Sequence, residues 1–333
     1  IGTIVFLIIT YTIQSLSPFS FWDLPIDKGG IANFHTLFNV SVTLMFLPFV
    51  GLLEKMVVCL IPEQQNTDEV DDPAIALDDR LLTSPGLAIQ HCRNAVLQMG
   101  KLARKNFSAS VRQLEQYNHK EVEKIRERED TIDRLEDRLG NYILKIPQDN
   151  LSEESSATIS ALLHILSEFE RIGDYSINLV EFAENMESTG AEFSPQAKFE
   201  LIAIGEAVKE AIDMAVGCFE KQDLALAETI EPLEEVVDQM QETLKDRHIN
   251  RLRNGQCTVD AAFPFVESLS CLERISDHCS NIGIYMISYV RGSEELDHHT
   301  YIMQLHSGDV GHYNEQFRRY TEKYYDQIRV AKS

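Results

Sequence analysis

The hydrophobic pattern changes character once along the chain. The first 61 residues hold two apolar blocks, Ile1 to Ile13 and Ala32 to Ile61, joined by a loop with Asp27, Lys28, Gly29 and Gly30, and the second is interrupted strongly only by Asn33, His35, Asn39, Glu54 and Lys55. At about 1.5 Å rise per residue the second block exceeds the roughly 20 residues a helix needs to cross a bilayer. It predicts a transmembrane helix kinked at Pro48, preceded by the end of another span, with Trp22 in the connecting loop suited to an interfacial anchor. A buried core helix is the competing reading, and Glu54 and Lys55 keep it open. From Ser84 onward the spacing is helical and strand alternation is absent. Ser84-Pro85 and Ser194-Pro195 each read as an N-cap followed by proline in the first turn. Six main helices are expected, three on each side of Gly190, with breaks near Pro147 to Leu151, Thr189 to Phe193, Gln222 to Asp223 and Asn254 to Thr258.

The two halves are related. Residues 169–179 read FERIGDYSINL and residues 272–282 read LERISDHCSNI, sharing E-R-I-x-D-x-x-x-N. Upstream of each copy stands another acidic pair at the same i,i+4 spacing, Glu129 with Asp133 and Glu234 with Asp238. At about 100° per residue Glu170 shares a helix face with Ile159, Leu163, Leu166 and Ile177, and Glu273 shares one with Val266, Leu269 and Ile284. Asp174, Asp277, Asn178 and Asn281 follow at one-turn intervals. Like charges one turn apart oppose each other, and drawing them toward the core costs more still, so a cation is expected to offset them. Hard oxygen ligands presented in pairs suit magnesium, manganese, calcium or iron. A solvated acidic face is the plainer use of the same spacing, above all for Glu129 and Asp133 in the charged run EKIREREDTIDRLEDRL.

Composition narrows the partners. Thirty basic against 53 acidic residues give a formal charge of -23, which repels nucleic acid and anionic head groups and admits metal cations. The six cysteines form no C-x-x-C pair and read as reduced, buried small residues. No Glu-x-x-His accompanies the acidic pairs, which argues against a di-iron oxidase, and neither a G-x-x-x-x-G-K loop nor a G-x-S-x-G elbow is present. The chain is therefore not expected to be an enzyme. Ile1 opens inside an apolar run without a methionine, which reads as a truncation. In the tail, His298, His299, His306 and His312 lack ligand spacing on one helical turn, and Tyr313 to Ile328 forms an amphipathic, tyrosine-rich pattern that suits docking.

The repeated E-R-I-x-D-x-x-x-N copies and their upstream acidic pairs resemble the PhoU family over roughly residues 85–290. The segment IANFHTLFNVSVTLMFLPFVGLLE is similar to the closing helix of the bacterial sodium-phosphate cotransporter membrane domain, a family in which fusion to a PhoU-like domain occurs. The Gln-Ser-Ser-rich repeats that bind substrate and sodium in that family are not in this chain. The resemblance implies an all-α chain: transporter helices over 1–62, an acidic linker over 63–84, PhoU-like three-helix repeats over 85–189 and 190–291, and a helical tail over 292–333. It implies sodium-dependent transport of inorganic phosphate across the bacterial inner (plasma) membrane, regulated by the helical domain in the cytoplasm. Metal ions, divalent or iron, would sit on Glu129, Asp133, Glu170, Asp174, Asn178, Glu234, Asp238, Glu273, Asp277 and Asn281, with His35 and Asn39 as transport-associated residues. Expected partners are inorganic phosphate, sodium as coupling ion, membrane lipid, a phosphate-signalling protein and a second copy of the chain. The alternative is a membrane-tethered, metal-binding regulatory bundle that transports nothing.

Overall fold

A computed structural model describes residues 2–16, 22, 25, 28–47, 77–147, 151–291 and 311–330. The chain forms two compact units, Ile1–Glu69 and Val70–Ser333. In the first, α1 (Gly2–Leu16) and α2 (Lys28–Phe46) pack through Phe6, whose ring meets Phe34 at 5.8 Å and Phe38 at 4.9 Å, both edge to face. Among the described residues no helix is long and apolar enough to cross a membrane. This corrects the expected inner-membrane location, and the transporter helices expected over 1–62 gain no support from the described residues. The physical reason lies in composition: α1 covers 15 residues, and α2 reaches 19 only by including Lys28, Gly29, Gly30, Asn33, His35 and Asn39. The remainder of the expected span, toward Ile61, lies outside the described residues.

The second unit is helical throughout its described residues. After a 3₁₀ turn at Asp79–Thr83 come α3 (Pro85–Glu115), α4 (His119–Leu144) and α5 (Glu153–Thr189), then α6 (Pro195–Lys221), the short α7 (Leu224–Ala227), α8 (Ile230–Arg253) and α9 (Val259–Arg291). Local chemistry explains the boundaries. Ser194 Oγ accepts from the Ala197 amide at 3.2 Å, and Ser152 Oγ from the Ser155 amide at 3.1 Å, each satisfying a donor the helix leaves free. Ser84 begins α3 without such a bond, so Pro85 alone marks that start. Helix α5 ends at Gly190, whose φ of 66° lies in the left-handed region where a Cβ is unfavourable. A break at Gln116–Asn118, which proline and glycine do not announce, is made by Asn118 capping Lys120 and Glu121.

Helices α3, α5, α6 and α9 form a shared inner layer; α4 packs on α3 and α5, and α8 on α6 and α9. Two three-helix bundles result, (α3, α4, α5) and (α6, α8, α9). Phe107, Met99, Ile132, Leu139 and Phe169 are buried in the first; Val208, Ile212, Leu233, Val237 and Ile275 in the second. Each such side chain contributes about 1.5–3 kcal/mol by leaving water. Phe169 also meets Phe219 of α6 at 6.1 Å. Its ring lies where a Cβ on Gly100 would stand 2.6 Å away, so glycine is what lets α3 and α5 approach there. A C-terminal helix, α10 (Gly311–Tyr320) continuing through a π turn at Thr321–Tyr325 into α11 (Asp326–Val330), lies along α8 and α6. His298, His299 and His306 fall outside the described residues, and His312 is exposed.

Candidate functional site

In the first bundle α4 brings Glu129 and Asp133 toward Asp174 of α5, and one carboxylate oxygen from each lies within 4.8 Å of the others. The side chains lie at the rim of the core stripe: Glu129 is partly buried, Asp133 and Asp174 exposed. Burial first, then the charges of Asp133, Asp130 and Asp174, push Glu129 up to about 7. Glu170 is pushed up to about 7 by burial, then by Asp174, Glu136 and Asp133. Asp133 rises by burial and by Asp174. Nearby arginines are turned elsewhere. Arg126 donates to Glu184 at 2.6 Å, Arg128 to Asn106 and Glu121 at 3.2 Å each, and Arg134 to Thr131 at 3.1 Å. The acids therefore repel one another across two helices, without these three cations to offset them.

The second bundle carries the equivalent acids on α8 and α9. Glu234 is pushed up to about 10 by burial, then by Glu231 and Asp277, and it shares a hydrogen bond with Asp277. Asp238 rises by burial and by Glu235, Glu242 and Asp277. Glu273 rises by burial and by Asp277 and Asp238, opposed by Arg274 and His278. Each E-R-I-x-D copy thus faces the acidic pair of its own bundle's outer helix. Such groups of carboxylates are the donor set hard divalent cations or iron require.

Some expected ligands stand elsewhere. Asn281 donates to Glu168 of α5 at 3.4 Å, at the junction between bundles. Asn178 is partly buried, one turn past Asp174. Arg274 donates to Tyr175 at 2.9 Å and lies over its ring, so its hydrogen bond goes across the junction instead of to Glu273. His35 and Asn39 belong to the first compact unit, on an exposed face of α2, with Nδ1 and Nδ2 3.1 Å apart.

Three features escaped the spacing argument. Glu136 joins the first cluster, raised by burial and by Asp137 and Asp133. Glu231 is buried beside the second and accepts from the Ser280 hydroxyl. Both stand three residues from a named acid, a spacing that could have found them. The third is the junction, where His278 stacks on Tyr175 at 5.5 Å and its Nδ1 lies 2.6 Å from Glu168. Tyr175 and His278 occupy the same position in the two motif copies, so the bundles meet at their own repeats.

Comparison with known proteins places these features in context. The model of the PhoU domain matches residues 96–183 and 201–286, just over half of the chain, and each stretch contains one carboxylate cluster. The phosphate-specific transport system accessory protein PhoU homolog of Pseudomonas aeruginosa is 24% identical over 207 residues, covering 62% of this chain and 85% of that protein. The putative inorganic phosphate export protein YjbB of Salmonella typhimurium is 21% identical over 254 residues, 76% of this chain but only 46% of that protein. The crystal structure of PhoU from Pseudomonas aeruginosa superposes with a TM-score of 0.58 at 24% identity, covering 61% of this chain and 97% of that one. At that identity the likeness concerns the fold. The C-terminal helix lies outside both matched stretches.

Proposed function

The chain belongs to the PhoU domain family, and from that premise we propose that it is a regulator of phosphate homeostasis, which carries cations on its two carboxylate clusters and acts on a partner protein of phosphate signalling or transport. It catalyses no reaction in this reading. The observation that carries the metal part is the convergence of Glu129, Asp133 and Asp174 within 4.8 Å across α4 and α5, echoed by Glu234, Asp238, Glu273 and Asp277 on α8 and α9. A bound divalent or iron cation supplies the positive charge those acids lack and ties the outer helix of each bundle to the inner layer. The phosphate part is supported by the relatives, which are named for phosphate transport accessory and phosphate export roles. Sodium-coupled uptake gains no support from the described residues, since no helix among them can cross a membrane.

The test is phosphate content in cells deleted for the gene and complemented with the full chain or with Asp133→Asn, Asp174→Asn, Asp238→Asn and Asp277→Asn combined. Deletion should alter phosphate content, the full chain should restore it, and the quadruple variant should not. Restoration by the variant would remove the cations from the account. Unaltered content on deletion would remove phosphate homeostasis itself.

A further inference from the structure

Among the described residues the second bundle carries a fourth helix and the first does not. The C-terminal helix lies in the groove between α6 and α8, and two series of contacts set its direction. Tyr320 Oη donates to Met214 Sδ at 3.4 Å, and one turn on the Tyr324 hydroxyl donates to Glu210, which also accepts from Lys323 at 2.6 Å. The helix is therefore antiparallel to α6. Tyr325 Oη lies 3.0 Å from Thr243 Oγ1, and the Ile328 carbonyl accepts from Arg247 at 2.7 Å, so it is parallel to α8. The π turn at Thr321–Tyr325 aims adjacent Tyr324 and Tyr325 at opposite walls of the groove.

The frame does not need this helix to close. The first bundle buries its core with three helices, and the matched PhoU stretches end at residue 286. The Pseudomonas aeruginosa PhoU structure is matched over 97% of its length by 61% of this chain, so a frame of this fold stands as a whole protein. What the helix does is cover a surface. Tyr320, Tyr324 and Ile328 are buried against it, while Arg318, Arg319 and Glu322 are exposed. The Lys323–Glu210 ion pair is partly exposed, and such pairs hold weakly. Residues 292–310 join the helix to α9, a length of chain that lets it leave the groove while staying attached. A helix of this length is marginal in water by itself, so departure returns conformational entropy to the segment. The groove left behind has a definite chemistry. Glu210 selects a basic residue, and Arg247, held from behind by buried Glu200 at 3.8 Å, selects the carbonyl end of a helix.

We propose that the α6–α8 groove is a docking surface for an amphipathic helix of a partner protein, and that the C-terminal helix is its autoinhibitory occupant, which must leave before the partner enters. The resident helix is the template for that partner: two aromatic residues one turn apart, a basic residue beside the second, and a carboxy-terminal end that reaches Arg247. The chain's formal charge of -23 adds to the preference for a basic helix. The identity of the partner rests on the regulatory reading given above; the groove and its occupant depend on neither phosphate nor cations.

The experiment uses the full chain and, as probe, a fluorescent peptide with the sequence of residues 311–333. Hydrogen exchange of the unmodified chain is followed first, and residues 311–330 should exchange well ahead of α6 and α9. Peptide affinity is then compared between the unmodified chain and one bearing Lys323→Ala and Tyr325→Phe, changes that loosen only the resident helix. The loosened chain should bind the peptide about fivefold or more tightly, because its groove is open for a larger fraction of the time. Adding Glu210→Gln to the loosened chain should weaken binding about fivefold or more. Exchange of 311–330 only together with α6 and α9 would make the helix a fixed part of the frame and overturn the proposal. Peptide affinity indifferent to both the loosening and Glu210→Gln would overturn it too, by placing binding elsewhere. A loosened chain that dimerises in sedimentation instead of taking up peptide would give the groove to a second copy and overturn the partner. Each of these failures leaves the phosphate test of the regulatory reading untouched, since that test does not involve this helix.

Discussion

At one end of the first bundle, where α3 begins and α4 finishes, Cys92, Tyr142 and Ile146 are buried together in the apolar core. The corresponding end of the second bundle holds Glu200, wholly buried, with Arg251 Nη2 at 2.7 Å and Arg247 Nη1 at 3.8 Å, and His248 stacked on Phe265 at 4.2 Å. The carboxylate clusters differ in the same sense. The first lies at an open rim with Glu129 and Glu170 pushed up to about 7, whereas in the second Glu234 is driven to about 10 and the C-terminal helix packs on α8. A repeated three-helix frame can thus keep its acidic motif while one copy uses apolar packing and the other commits buried charge. A buried ion pair adds little over well-packed apolar groups, but losing one partner is costly.

That asymmetry makes Glu200→Ala the most damaging change. It removes the carboxylate that Arg247 and Arg251 share and should lower unfolding free energy by about 3–5 kcal/mol in urea titration. Cys92→Ala at the matching end should cost about 1 kcal/mol, the ordinary size for a small core truncation. Equal costs would dissolve the contrast between the ends.

Next in size, Gly100→Ala forces a methyl to within 2.6 Å of the Phe169 ring and should cost about 1–3 kcal/mol. Gly217→Ala in the second bundle meets only the flexible end of Leu226 at 3.2 Å and should shift the thermal midpoint less. A reversed order would mean that Phe169 does not pin α3 to α5.

The smallest effect is a pH dependence. Glu129 and Glu170 rise from 4.5 to about 7, so the metal-free folded state binds more protons than the unfolded chain between those values. Stability should therefore fall as pH rises from 4.5 to 7 and level off above, relative to a Glu129→Gln, Glu170→Gln variant. After discounting for partial exposure the difference is on the order of 1 kcal/mol. His248, lowered to about 4 by burial and Arg251, acts oppositely in both proteins and cancels in the comparison. A flat difference in urea midpoints would show that these acids are not desolvated.

Much of this frame is legible in the residues. Ser-Pro pairs, Gly190 and the run of polar breaks punctuate the helices because they act on local backbone, and the E-R-I-x-D copies disclose which helices are equivalent. What was illegible depends on distance across helices. The Glu231–Ser280 contact, the turn of Arg274 to Tyr175 and the loss of Asn281 to Glu168 require the register of α8, α9 and α5, which no spacing within one helix reports. The expected membrane segment lacks support for a different reason. Helix α2 begins at Lys28, ahead of the apolar block, and carries Asn33, His35 and Asn39, while the part of the block beyond Leu47 lies outside the described residues.

The central claim is that the four acidic pairs are cation sites, and metal stoichiometry after loading and gel filtration tests it most directly. The full chain loaded with manganese(II) would be compared with Asp133→Asn/Asp174→Asn and with Asp238→Asn/Asp277→Asn. The account predicts bound manganese in the unmodified chain, with each double variant losing only the share of its own bundle. An unmodified chain that emerges without metal, or variants that retain as much as it does, would contradict it.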